Sequence, residues 1–267
     1  MRRIRSVYRT VVRMRYTLAK IGLTLMSDQD AIKINLTDGG FVRLVDSMGS
    51  DLSVVNSARV SYDTQVSEMR PGKDDRLIKY LWEHQHSSPF RHATVQFHIK
   101  APIFVLRQWM KHQVGCSWNE RSGRYVKFNT EWWYPEKLSF EDDSKKQGSG
   151  YTLPTALNER ALGALQKAYI SAYQSYEHLI DLGVAKEQAR AVLPVGMMSE
   201  CYWTCSLQAA LHFLTLRLDA HTQNETRSYA CAVYQILHRT EQFKSVLDIW
   251  RADFLKNRPE CVTLFSH

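Results

Sequence analysis

An α+β fold, a small antiparallel sheet packed with several helices, is predicted by three features of this 267-residue chain. Strand-like runs with period two crowd its first hundred residues, and helical periodicities fill its last hundred. No internal repeat, low-complexity tract or Pro/Gly-rich linker divides it, so one domain is expected to carry everything from residue 28 to 267.

The elements follow in order. Residues 32–36 and 41–45 flank Thr37-Asp38-Gly39-Gly40, a hairpin turn between short strands. Asp51 is read as the cap of a helix running to about Val60. Leu77, Ile78, Leu81 and Trp82 make an i, i+3, i+4 stripe, so residues 74–84 are a helix. Ser87-Ser88-Pro89 ends it, because the residue before Pro avoids helical geometry. Val95, Phe97 and Ile99 alternate with Gln96, His98 and Lys100 in a strand. Pro102 suits the opening of a helix from Ile103 to about Gln113, with Gly115 near its end. Residues 141–150, EDDSKKQGSG, read as a mobile loop. A long helix over 158–181 has Ala161, Leu165, Ala168, Ala172 and Leu179 on its apolar face and stops before Gly183. Residues 186–192 form a short helix stopped by Pro194, and 200–218 and 223–238 read as two more.

Composition narrows the class. Hydrophobic residues at 44% and charged residues at 23% are ordinary globular values, and no run approaches the ~20 apolar residues of a membrane span. The net charge of +8 is concentrated in residues 1–27, which hold seven Arg or Lys and no acid; the rest has 28 basic against 27 acidic residues. We read 1–27 as a disordered or dispensable basic extension, ahead of an organellar targeting segment or an arm for nucleic acid or a membrane surface. Five irregularly spaced cysteines without a secretory signal fit reduced thiols in the cytoplasm. Cys201 and Cys205, placed on one helix face among apolar neighbours, read as buried structural thiols. No metal site is expected there, nor at His84, His86 and His92.

Residues 107–125, RQWMKHQVGCSWNERSGRY, hold the densest polar chemistry. Arg107 and Lys111 are expected on one helix face, with Gln108 and His112 on the next. The loop beyond offers Ser122, Gly123 and Arg124. Hydroxyl, backbone N–H and a bidentate guanidinium are what a phosphate needs. Glu120 would repel phosphate, so it is read as orienting an Arg or binding a sugar hydroxyl or base N–H. The bland alternative is a solvated, salt-bridged turn.

Arg107-Gln108-Trp109, followed by Ser117-x-Asn119-Glu120-x-Ser122-Gly123-Arg124-Tyr125, resembles the signature of flavin-dependent thymidylate synthases. Asp46 through Ser61, His86-Ser87-Ser88-Pro89-Phe90, Phe97 to Pro102, Ala189-Arg190-x-x-Leu193-Pro194, Trp203-Thr204 and Leu216-Arg217-x-Asp219-x-His221 are similar to the same family, in order, from about residue 32 to 250. The resemblance implies an obligate homotetramer with active sites shared between subunits. It implies methylation of dUMP to dTMP, with methylenetetrahydrofolate as carbon donor, FAD as cofactor and NADPH as its reductant, and no cysteine nucleophile. Carried over by position, Gln108, Glu120, Ser122, Gly123, Arg124, Arg190 and Arg217 would bind dUMP, and Arg217, Ser122 and Glu120 would serve catalysis. Ser61, His86, Ser88, Lys111, His112, Gln113, Ser206, His212 and His221 would lie on the FAD side. For His86 and His221 a packed or capping histidine is the alternative.

The chain departs from the family on the flavin side. The usual Arg-His-Arg is Lys111-His112-Gln113, with one extra residue before Ser122, expected in a bulge or loosened turn near Gly115. Lys loses the planar fork and Gln the charge. Ser206, Gln208 and His212 stand where Asn, Arg and Asn are usual, and Arg91 where Glu is often found. The expected consequence is FAD held by altered contacts. Two other functions compete: hydroxymethylation of dUMP or dCMP, and nucleic-acid binding through the basic tail and the 107–124 cluster.

Overall fold

Asp38 and Gly39 start the sheet. Gly39 sits at φ +85°, and the Asp38 carboxylate accepts from the backbone of Gly40 at 2.9 Å and from the Tyr229 hydroxyl at 3.0 Å. That turn joins β1 (Lys33–Asn35) to β2 (Phe41–Met48) as an antiparallel hairpin. The structure is a computed structural model that describes residues 32–128, 131–141 and 149–265. The basic extension, 1–27, lies outside the described residues.

Helix α1 (Asp51–Arg59) follows β2, then α2 (Lys73–Glu83) and a 3-10 turn, Ser88–His92. The N-cap of α1 is Ser50, not Asp51. The Asp51 carboxylate reaches across the chain instead, accepting from Ser245 N at 2.7 Å and Val246 N at 3.1 Å. It thereby satisfies first-turn amides of α8 (Lys244–Asn257), a long-range version of a cap.

β3 (Thr94–Pro102) takes the centre of a five-stranded antiparallel sheet that continues through β4 (Cys116–Glu120) and β7 (Met198–Ser206) in the order β1-β2-β3-β7-β4. Its neighbour corrects the sequence reading. Residues 198–206 are strand β7 (Met198–Ser206), not the start of a helix, and pair with β3 along their whole length. Cys201, Trp203 and Cys205 are buried on one face, while Glu200, Tyr202 and Thr204 turn to the other. The two cysteines are therefore buried free thiols as expected, on a strand rather than a helix. Ser206 then caps α6 (Leu207–Arg217), its hydroxyl accepting from Ala209 N at 3.2 Å.

α3 (Ile103–Trp109) is shorter than its periodicity suggested. Side-chain donors take carbonyls at its last turn and just beyond: Arg217 Nη2 donates to Gln108 O at 3.3 Å, and Trp118 Nε1 to His112 O at 3.3 Å. Lys111, His112 and Gln113 thus leave the helix and lead into β4 (Cys116–Glu120). Gly115, at φ +70° with a virtual Cβ 3.0 Å from Ser206 Oγ, is the tight point of that turn, where the loosened turn was expected.

The core lies under the inner sheet face. Trp109 stacks on Phe213 at 4.6 Å and meets Trp203 edge-on at 5.2 Å, and both tryptophans are fully buried. Losing either ring would cost about 3–5 kcal/mol. β5 (Ser139–Glu141) and β6 (Ser149–Thr152) make a separate hairpin, so the loop expected over 141–150 is paired at both ends. Residues 142–148 lie outside the described residues. α4 (Thr155–Asp181) buries Asn158, Tyr169 and Tyr176 rather than the small-residue face predicted, and Ala168 is exposed. Tyr169 stacks on Trp132 at 5.0 Å and fills the space that a side chain at Gly196 would need. α5 (Lys186–Ala189), α7 (Asn224–Arg239), α8 and a 3-10 turn over Pro259–Phe265 complete the unit.

Candidate active site

Arg217 closes α6, where Lys or Arg is favoured by the helix dipole. Its Nε donates to His112 Nε2 at 3.0 Å and its Nη2 to the Gln108 carbonyl. Accepting at Nε2 requires that nitrogen of His112 to be unprotonated. Burial, the adjacent Arg217 and His212 hold the His112 imidazole well below its usual range, at about 4. His112 is thus a neutral brace and Arg217 the cation. The Gln108 side chain is pinned as well, accepting from Thr226 Oγ1 at 3.2 Å and donating to Gln223 Oε1. Gln108, Arg217 and Gln223 open on a cleft of ≈ 960 Å³ between the α6–α7 loop and the β5–β6 hairpin.

His221 lines the same cleft. It is exposed rather than buried at the helix end, and its Nδ1 lies 2.9 Å from Asp219 Oδ1. Asp219 also binds Arg258 Nε at 2.6 Å. Hydrogen bonds from His221 and Arg258 hold its carboxyl near 2, against the effect of burial. Asp219 had been read only as a motif position; its Asp-x-His spacing was the available signal.

A second constellation forms around the loop after β4. Tyr125 N and Val126 N both return to the Ser122 carbonyl, at 3.2 and 3.3 Å, and Arg124 N lies 3.3 Å from Ser122 Oγ. A Cβ at Gly123 would collide with the Phe128 ring and approach Arg190 Cδ at 3.1 Å. Glycine therefore lets Arg190 fold against the loop. Arg190 Nε donates to Glu187 O at 3.2 Å, and Arg124 pairs with Glu187 at 3.3 Å. Arg124 thus takes the Glu187 carboxylate and Arg190 only its backbone carbonyl, so two guanidinium groups against one carboxylate leave a net positive corner beside the Ser122 hydroxyl. Glu120 accepts from Ser199 Oγ at 2.7 Å, so a serine, not an Arg, holds it in this chain. Glu120, Arg107 and Arg190 line a cleft of ≈ 470 Å³.

The sequence-derived nucleotide residues therefore fall into two groups. Gln108 and Arg217 face one cleft; Glu120 and Arg190 face another, next to Ser122, Gly123 and Arg124. Within one chain the two groups line separate clefts.

The flavin-side residues are mostly solvent-facing. Ser61, His86, Ser88, Lys111, Gln113, His212 and His221 are exposed, while His112 and Ser206 are half-buried. His112 and His212 approach edge-to-face at 5.9 Å. Among the described residues no group of three His, Cys, Asp or Glu side chains is placed to hold a metal ion, and no helix is long and apolar enough to cross a membrane.

A twisted antiparallel sheet whose edges and adjoining helices present two cation-lined clefts is the frame of an α+β nucleotide-modifying enzyme. The family model described as "Thymidylate synthase complementing protein" matches residues 43–240. A flavin-dependent thymidylate synthase of Kosmotoga olearia is 44% identical over 205 residues, covering 77% of this chain and 88% of that one. One from Thermus thermophilus is 44% identical over 206 residues, covering 77% and 74%. Among solved structures, the UMP/dUMP methylase PolB of Streptomyces cacaoi bound with 5-Br dUMP superposes with a TM-score of 0.72 at 33% identity, covering 82% of this chain and 97% of PolB. The chain belongs to the thymidylate synthase complementing protein family, that of the flavin-dependent thymidylate synthases.

Proposed function

We propose that this chain methylates dUMP to dTMP, using methylenetetrahydrofolate as carbon donor and a flavin hydride from FAD reduced by NADPH, as a cytoplasmic homotetramer. The observation that carries it is the pairing of a rigidly braced cation, Arg217, with a separate phosphate-ready corner at Ser122–Arg124. Ser122, Gly123, Arg124 and Arg190 would take the phosphate and sugar, and Gln108 and Arg217 the base. The division of these groups between two clefts is what an active site assembled from more than one subunit requires, and residues 28–267 would be its catalytic domain.

Arg217 supplies electrostatics rather than covalent chemistry. Its guanidinium, held by neutral His112 on one side and a carbonyl on the other, would meet negative charge developing on the uracil ring so that carbon 5 can attack. Because His112 accepts rather than donates, it adds no competing charge and fixes the plane of the fork. Glu120, oriented by Ser199, is suited to accept from a sugar hydroxyl or base N–H. Ser122 serves as a ligand, since among the described residues no His–Asp pair is hydrogen-bonded to it.

FAD would lie against the exposed hydroxyls and rings of Ser61, His86, Ser88, His212 and His221, together with Lys111, Gln113 and the half-buried helix cap Ser206. When bound it supplies the hydride. The test is anaerobic: load the protein with FAD, reduce it with NADPH, and add dUMP and methylenetetrahydrofolate. Flavin reoxidation with dTMP formed is expected. Reoxidation with a hydroxymethylated product, or turnover of UMP or dCMP only, would replace this reading. Failure to bind any flavin would end it.

A further inference from the structure

The Ser88–His92 turn packs against the helix that β7 feeds, α6. At that junction Arg91 Nε donates to Gln208 Oε1 at 2.8 Å and Arg91 Nη2 to Ser87 Oγ at 3.2 Å. Both acceptors are neutral. Arg91 is exposed and makes no ion pair among the described residues, so the charge of this guanidinium is oriented but not compensated. Gln208 is the second residue of α6, just inside the Ser206 cap. A cation braced at the positive end of an eleven-residue helix is in an unfavourable place by itself. The arrangement becomes favourable when an anion sits between guanidinium and helix end, where both attract it.

The neighbours are flavin-side positions. Ser88 opens the turn that carries Arg91, Ser206 caps the helix, and His212 lies one turn beyond Gln208 on the same face. Relative to the family pattern, the carboxylate expected at 91 and the guanidinium expected at 208 have become a guanidinium at 91 and a neutral acceptor at 208. The side chains still meet, so the positive charge has crossed from helix to turn while remaining at the contact.

We propose that Arg91, braced by Gln208 and Ser87, is the anion-binding residue that holds the diphosphate of FAD in this chain. The proposal rests on the reading of the chain as an FAD enzyme and names the contact that offsets the missing guanidinium at 208. Arg91 keeps Nη1 and the second Nη2 hydrogen for phosphate oxygens while Gln208 and Ser87 fix the plane of the fork. Lysine at this position would keep the charge but lose the bracing.

The test is flavin binding by the purified full chain, followed by quenching of flavin fluorescence, with FAD and riboflavin titrated in parallel. Arg91→Ala is expected to weaken FAD by about tenfold or more while riboflavin, which has no phosphate, changes by less than about twofold. Arg91→Glu is expected to weaken FAD further. The double variant Arg91→Glu/Gln208→Arg, which returns the guanidinium to the helix, is expected to regain most of the affinity. Arg91→Ala binding FAD like the parent, or losing FAD and riboflavin equally, would overturn the proposal; the second result would make Arg91 a brace for the turn. A folded double variant no better than Arg91→Glu would also count against it. Parent protein that binds neither flavin would instead bring down the FAD reading itself, a separate and recognisable result.

Discussion

Arg217 Nε donates to His112 Nε2 across 3.0 Å, tying the end of α6 to the turn that ends α3. The bond uses one edge of the guanidinium, and the Gln108 carbonyl takes a second hydrogen through Nη2. Arg217→Ala is expected to lower dTMP formation by about a hundred- to a thousandfold, the range of a lost electrostatic stabiliser, with the fold and flavin content preserved. Arg217→Lys should remain severely impaired, because an ammonium cannot span His112, the carbonyl and a ligand together. Steady-state rates and visible spectra of the two variants check this. An active Arg217→Ala enzyme would remove the residue from the mechanism.

His112 makes the site acid-sensitive. Its folded-state pKa of about 4 lies below the ordinary 6.5, so the folded protein resists a proton that the unfolded chain accepts. The resulting stability is present above about pH 6.5 and is lost as the pH falls through 6.5 towards 4. For a half-exposed ring the effect, discounted for solvent screening, is on the order of 1–2 kcal/mol. His112→Gln keeps an acceptor for Arg217 without a titrating ring. Urea unfolding at pH 7 and pH 4.5 should therefore show the parent losing more stability than the variant, and parallel losses would refute the assignment.

Gly123 is sterically required. A methyl there runs into the Phe128 ring and presses on Arg190, so Gly123→Ala should displace the arginine and its loop. The strain is about 1–3 kcal/mol if the loop shifts. The expected signature is a tenfold or greater rise in KM for dUMP, about 1.4 kcal/mol or more, with little change in flavin binding. Unchanged KM would mean that the corner formed by Arg124 and Arg190 is not where the nucleotide sits.

The sheet was legible where local pattern and local structure agree. Val95, Phe97 and Ile99 alternate on β3, and Asp38-Gly39 marks the hairpin with a turn that only a positive φ completes. β7 is hidden in the sequence because the alternation of Cys201, Trp203 and Cys205 runs straight into the apolar face of α6, with only the Ser206 cap dividing them. The end of α3 is illegible because a side chain more than a hundred positions away, Arg217, binds a carbonyl of its last turn. Asp51 shows the same limit: its partners, Ser245 and Val246, lie almost two hundred positions away, beyond any local rule. The proposed nucleotide residues come from their motif alone. Their separation into two clefts was not legible, since spacing along a chain says nothing about which groups one subunit can bring together.

Cys116 sits opposite Cys205 in the β4–β7 register, with Gly115 O accepting from Ser206 N at 3.0 Å one step along. That places the cysteines in a non-hydrogen-bonded pair, where side chains approach most closely. A hydrogen bond from the Cys205 thiol brings Cys116 down to about 7, outweighing the opposite effect of its burial. Burial pushes the thiols of Cys201, Cys205, Cys231 and Cys261 upward. Thiolate is the reactive form, so labelling by iodoacetamide should fall first on Cys116, with a rate that rises with pH through a midpoint of about 7. Cys205→Ala removes the donor and should move that midpoint towards the ordinary 9. Peptide mass spectrometry after timed labelling between pH 5.5 and 9 (an order-of-magnitude rate window about the midpoint) reads both effects. A reactive thiol invites assignment as a nucleophile, yet among the described residues no general base is hydrogen-bonded to Cys116, and its partner across the strands is a buried thiol. Cys116→Ser should accordingly keep dTMP synthesis within about threefold of the parent, far from the loss expected when a nucleophile is removed. If labelling proved slow and flat with pH, the Cys116–Cys205 pairing would be wrong. If Cys116→Ser were dead but folded and flavin-loaded, the mechanism without a cysteine nucleophile would fall.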